Sequence, residues 1–149
     1  MRYPIIELED QLAVFTTRLS SVPRHSPVYG QIDRFGFVVA SALSENGPST
    51  TDELAGLLSL DRSTITTQLA MLTGREFVAG AVRPGRPDVT VFDLTPSGKA
   101  ELQRVNSGRS RQIADLVGDW NQRDIRTFAD LLGRFNQSII QRGDGDPAH

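Results

Sequence analysis

Thr50–Leu72 reads TTDELAGLLSLDRSTITTQLAML, and Glu76–Thr95, three residues on, reads EFVAGAVRPGRPDVTVFDLT. The first string carries two helices. Thr50 suits a helix N-cap, and Glu53, three residues later, completes the reciprocal capping box that satisfies two otherwise orphaned amides. Leu54, Leu57 and Leu58 are expected to point inward, Ser59-Leu60 to make a tight turn, and Asp61 to cap the next helix. On that helix Ile65, Leu69 and Leu72 recur at four and three residues, the spacing of a core-facing stripe. Ser63, Thr64, Thr67 and Gln68 are left on or beside the opposite face.

After Gly74 the period changes from helical to alternating. Phe77–Arg83 and Val89–Leu94 are short and β-rich, separated by Pro84-Gly85-Arg86-Pro87-Asp88. Pro-Gly sets a turn, because proline fixes φ and the following glycine accepts a positive one. Two helices with a tight break, then a hairpin with arginines at its tip, predict a winged helix-turn-helix. The fold class is therefore mainly α with a small β-hairpin.

Helical segments flank this unit on both sides. Residues 4–21 carry Ile5, Leu8, Leu12, Phe15 and Leu19 as one apolar stripe, with Pro4 in the first turn, where its missing N–H is harmless. Residues 22–30 (VPRHSPVYG) hold two prolines and a glycine and read as a loop. A second helix places Ile32, Phe35, Val39 and Leu43 on one face and stops at Asn46-Gly47-Pro48. Thr95-Pro96 opens a fifth helix with Leu102, Val105, Ile113, Leu116 and Trp120, interrupted by polar residues 106–109. After a break at Gly118-Asp119, the last helix spaces Ile125, Phe128, Leu132, Phe135 and Ile139 by threes and fours. The resulting division is an N-terminal dimerisation helix and loop (1–30), the winged helix-turn-helix (31–95), C-terminal dimerisation helices (96–141) and a tail (142–149) without an apolar anchor, expected to be disordered.

Bulk properties narrow the function classes. The chain has 149 residues, enough for one core, and no cysteine, so disulfides, thiolate metal sites and thiol sensors are excluded. No apolar run reaches the roughly 18 residues of a membrane span, and acidic residues stand where a signal peptide needs an apolar core, so a cytoplasmic protein is expected. Two histidines and no glycine-rich phosphate loop leave little for catalysis, metal or cofactor binding. Neither an enzyme nor a cofactor is expected. The net charge of −2 does not announce a nucleic-acid partner, but four arginines against two acids between Asp61 and Arg86 give that segment a modest basic bias.

The strings DELAGLLSLDRSTITTQLAML, the basic hairpin and LTPSGKAEL together resemble the MarR family of bacterial transcription regulators, most clearly over residues 30–120. The resemblance implies a homodimer, binding of double-stranded DNA, repression relieved by a small phenolic or other aromatic effector, and a ligand pocket where dimer helices meet reader. Arg24, His25 and Tyr29 are placed to line such a pocket, although an ordinary polar loop is the simpler reading. Three departures stand out. The family usually has glycine just after the recognition helix, where this chain has Glu76. Its wing tip often carries Asp-x-Arg, whereas here Arg86 precedes Asp88. A basic residue is common near Thr67.

The candidate DNA-binding residues are Arg62, Ser63, Thr64, Thr66, Thr67, Gln68, Arg75, Arg83 and Arg86. Short hydroxyls at a helix N-terminus can reach phosphates and base edges, and a glutamine can pair with adenine. Arg62, Arg75 and Arg83 suit phosphates. Gly85-Arg86-Pro87 resembles the core of AT-hook peptides, whose arginine lies in a narrow minor groove; a plain turn with a solvated arginine is the competing reading. With a second protomer, two readers would face a pseudo-palindromic site. The alternative is a winged helix used for protein–protein contact without DNA.

Overall fold

The computed structural model describes residues 3–21 and 29–143, leaving Arg24 and His25 outside the described residues along with 144–149 of the expected tail. Six helices and one hairpin follow in the order α1 (Pro4–Ser21), α2 (Arg34–Asn46), α3 (Thr51–Leu58), α4 (Arg62–Gly74), β1 (Val78–Arg83), β2 (Arg86–Leu94), α5 (Pro96–Leu116) and α6 (Gln122–Gly143). Mainly helical with a two-stranded antiparallel hairpin, this is the expected winged helix-turn-helix. Arg142 and Gly143, expected in the tail, instead end α6.

The caps legible in the sequence are all formed. The Thr50 hydroxyl accepts from the Glu53 amide at 3.1 Å while Glu53 Oε2 accepts from the Thr50 amide at 2.9 Å. Asp61 accepts from the Thr64 amide, and Thr95 Oγ1 from that of Gly98, with Pro96 in the first turn. Asp33, buried, caps α2 through Gly36 at 2.7 Å.

Helices α2, α3 and α4 pack with the base of the hairpin and the first half of α5. Val39, Leu43, Leu54, Ile65, Leu69, Leu72, Val78, Leu94, Leu102 and Val105 form one buried cluster. The core therefore does not stop at residue 95: α5 helps to close it. Two expectations are corrected. Phe37 rather than Phe35 is buried on α2; Arg34 lies over the Phe35 ring. Leu57 is 49% exposed, because one eight-residue helix turns only Leu54 fully toward α4. The hairpin is tighter than its sequence suggests, since β2 starts at Arg86 and Pro84-Gly85 alone make the turn, with Gly85 at φ +77°. The register jumps from Val82↔Thr90 to Arg83↔Arg86, so Pro87–Val89 have no partner opposite. Ser49 pairs with Phe92 through both backbone bonds, 2.9 and 2.8 Å, fastening β2 to the start of α3.

Both helices of the helix-turn-helix end the same way. After α4, the Phe77 amide reaches Leu72 O and the Glu76 amide reaches Thr73 O, each at 3.0 Å, with Glu76 left-handed at φ +62°. After α3, Leu60 N bonds Ala55 O and Ser59 N bonds Gly56 O, with Ser59 at φ +50°. These are Schellman motifs, which ordinarily place glycine at the left-handed position. The departure at Glu76 leaves the helix end intact and loads it with strain instead. Glu76→Gly is therefore expected to raise the thermal midpoint, since relief of about 1–2 kcal/mol exceeds the extra unfolded-chain entropy of about 0.4–1 kcal/mol. Gly98 is the opposite case: a Cβ there would lie 2.0 Å from Phe77 O. Gly98→Ala should lower stability by about 1–3 kcal/mol, read by the same thermal unfolding.

Candidate nucleic-acid interface

Arg62, Ser63, Thr66 and Thr67 lie exposed on the outer side of α4, with Thr64 half-buried beside them. Their hydroxyl protons are already engaged. Ser63 Oγ and Thr64 Oγ1 both donate to the Asp61 carboxylate, the latter at 2.7 Å. Thr66 donates to Arg62 O at 2.9 Å and Thr67 to Ser63 O at 3.0 Å. In these rotamers the helix offers lone pairs, rather than protons, from its hydroxyls.

Gln68 is not on this face. It is 5% exposed, and its Oε1 lies 3.5 Å from where a Cβ of Gly36 would sit, so it is packed between α4 and α2. The expected placement opposite the core is corrected. Gln68 directly follows Thr67, and a 100° step carries it round to the buried side of the helix.

Three of the four candidate arginines prove to be paired. Arg62 NH1 lies 2.8 Å from Asp52 Oδ1, on α3. Arg83, at the end of β1, donates to Glu53 Oε1 at 3.2 Å, so one carboxylate both closes the α3 capping box and holds the hairpin. Arg86 reaches Asp88 through Nε and NH2 at 3.3 and 3.4 Å, an ion pair within β2. The wing therefore has its acid–base pair, in the reverse order to the usual Asp-x-Arg. Arg75 is exposed just beyond α4 and makes no ion pair among the described residues.

Sequence reading missed the three carboxylates as part of this surface. Glu53 was legible only as a capping residue. Asp88 becomes a partner for Arg86 only because β2 begins at Arg86, two residues before it, inside the stretch expected to be the turn. Asp52 carried no signal, since it meets Arg62 only through the turn between α3 and α4.

The carboxylates respond as these contacts require. Hydrogen bonds from Ser63, then Thr64, hold the Asp61 carboxyl at about 2. The Thr50 amide, then Arg83, lowers Glu53, and Arg86 lowers Asp88.

On the far side of the reader, Arg109 of α5 places its guanidinium 4.1 Å above the Phe37 ring, and Tyr29 lies 5.9 Å from the same ring. Glu101 binds Arg104 at 2.8 Å and accepts from the Gln31 amide at 3.2 Å, so α5 also grips the segment entering α2. Among the described residues, no cluster of His, Cys, Asp or Glu is placed to hold a metal, and no helix is long and apolar enough to cross a membrane.

No protein-family model matches the chain. Its relatives do settle the class. The HTH-type transcriptional repressor NicR of Pseudomonas putida is 31% identical over 127 residues, 80% of each chain. The HTH-type transcriptional regulator YxaD of Bacillus subtilis is 27% identical over 137 residues, 92% of this chain and 96% of that one. Among solved structures, a MarR family protein from Bacillus stearothermophilus superposes with a TM-score of 0.71 at 23% identity, over 91% of this chain and 94% of that one. BpsR of Bordetella bronchiseptica, described with regulation of its DNA binding by 6-hydroxynicotinic acid, gives 0.65 at 20% identity over 85% and 98%. The chain belongs to the MarR family of winged helix-turn-helix transcriptional regulators.

The Asp61 contacts make a pH prediction. A carboxylate whose folded-state pKa is depressed adds stability that is present above its unfolded value, near 3.8, and is lost as pH falls toward about 2. Replacing Asp61 with Ala should lower the thermal midpoint at neutral pH and flatten the acid limb between pH 4 and 2, measured by thermal unfolding across that range.

Proposed function

We propose that the chain is a homodimeric, sequence-specific DNA-binding repressor that acts on a pseudo-palindromic site and is relieved by a small aromatic effector. The observation that carries the assembly is unpartnered apolar surface outside the reader. Ile5, Leu8 and Phe15 of α1, Ile113 and Leu116 of α5, and Phe128, Leu131, Leu132, Phe135 and Ile139 of α6 are all exposed, Leu116 by 74%. Apolar surface on that scale marks an interface in a soluble chain. A second copy is the occupant that suits it, because helices on both sides of one reader then pair across a two-fold axis. Two α4 helices would face the major groove about one DNA turn apart, ~34–36 Å.

In this reading Ser63, Thr64, Thr66 and Thr67 meet the groove as acceptors, the match for adenine N6 or cytosine N4 amino groups. Arg62, Arg75 and Arg83 serve phosphates, and Arg86 at the wing enters the minor groove. Gln68 reads a base only if it leaves its packing against α2, so it drops out of the contact set. Repression and relief take their support from NicR and BpsR, together with the cation that Arg109 holds beside Phe37 and Tyr29. The net charge of −2 and the paired arginines favour the second reading, a protein-contact module without DNA binding.

Selection of bound sequences from random DNA by purified protein separates the two: an inverted repeat is expected, and no enrichment would favour the protein partner. In solution the protein should have the mass of a dimer at micromolar concentration, and Leu132→Glu with Phe135→Glu should halve it. Arg86→Ala should weaken binding to the selected duplex by about fivefold to a hundredfold with the fold unchanged. Unaltered affinity would return that arginine to the solvated class.

A further inference from the structure

Sequence-independent affinity for DNA comes almost entirely from cations that neutralise phosphates. On this reader three of the four candidate phosphate or minor-groove arginines are instead neutralised from within. Arg62 meets Asp52 at 2.8 Å, Arg83 meets Glu53 at 3.2 Å, and Arg86 meets Asp88 at 3.3 Å. Glu53 has a structural reason to be there, since it closes the capping box. Asp52, an acid in the first turn of α3, and Asp88 on β2 each pair with an arginine of the reading surface. Both pairs are largely solvent-exposed, between 64% and 72% by side chain, so neither contributes much to holding the fold.

We infer that Asp52 and Asp88 are specificity-determining residues, internal counter-ions that suppress binding to DNA of arbitrary sequence. The inference rests on the DNA-reading role proposed above. A phosphate arriving at Arg62 must displace Asp52, and the displaced carboxylate then stands close to the DNA backbone and repels it. Arbitrary duplex, which offers phosphates and little else, bears that penalty in full. A cognate site offsets it through contacts to base edges and groove shape, which supply sequence information that phosphates lack. Because competing arbitrary sites vastly outnumber cognate ones, lowering their affinity raises occupancy of the right site even while absolute affinity falls.

The test compares the unsubstituted protein with Asp52→Asn, Asp88→Asn and the double variant. Two probes are used, the duplex selected from random DNA and a duplex of scrambled sequence, each titrated across a range of salt. Each substitution is expected to tighten binding to scrambled duplex by about two- to fivefold, the range set by an exposed ion pair. It should tighten the selected duplex less and steepen the salt dependence. In an Arg62→Ala background the gain from Asp52→Asn should vanish, because the carboxylate acts through that arginine. Unchanged affinity for scrambled duplex overturns the inference, as does an equal gain on both probes or a gain that survives Arg62→Ala. Matching thermal midpoints for the variants guard against a folding defect. If the unsubstituted protein binds neither duplex at low salt, the DNA-reading role itself falls, an outcome distinct from parity among the variants.

Discussion

The backbone of Phe77 is the joint on which the molecule turns. Its amide closes the end of α4 at Leu72 O, and its carbonyl accepts the Thr95 amide at 3.0 Å. Next to it, Glu76 O accepts the Thr95 hydroxyl at 2.6 Å. Gly98 leaves room for α5 to start against that same carbonyl. Recognition helix, wing and long C-terminal helix are thus set relative to one another by two consecutive peptide groups. Backbone hydrogen bonds of this kind are short and directional, so a tilt of α5 is passed to α4 rather than absorbed by loose side chains.

The same joint fixes what the sequence could and could not reveal. Thr50, Asp61 and Thr95 were legible as caps because a cap is local: a side chain meets an amide three residues away. Ile65, Leu69 and Leu72 were legible because a single periodic stripe defines one buried side. Errors appeared where two faces compete. Phe35 fits the apolar stripe of α2, yet Phe37 is the ring covered by Tyr29 and by Arg109 of α5. The Ile65, Leu69 and Leu72 stripe leaves Gln68 beside the opposite face, whereas α2 passes close enough at Gly36 to cover it. Arg62 and Arg83 find partners ten and thirty residues away, beyond the reach of any local pattern. The extent of the wing turn failed for another reason: Pro87 reads as a breaker, yet a β2 position without a partner opposite tolerates a residue that cannot donate.

Charge on the reading surface is arranged more than it is accumulated. A chain with a net charge of −2 cannot rely on bulk attraction, and its α4 face is built of hydroxyls whose protons are turned inward. Glu53 illustrates the economy of the arrangement, with one oxygen on the Thr50 amide and the other on Arg83. Helix start and wing are consequently held by one carboxylate. Altering that residue would disturb the reader's shape and its charge together, whereas Asp52 and Asp88 stand outside the capping box.

The buried cluster draws every member from between Ile32 and Val105. That confinement has a consequence for how the chain acquires its structure. Every contact of that core closes within one continuous stretch, and its longest-range ones, between α2 and α5, close last. During synthesis the reader can consolidate as soon as the first half of α5 has emerged. Among the described residues α1 contributes nothing to that core and keeps its apolar face uncovered, while α6 with the larger apolar face is made after it. The apolar face of α1 is therefore open to premature association until α6 emerges.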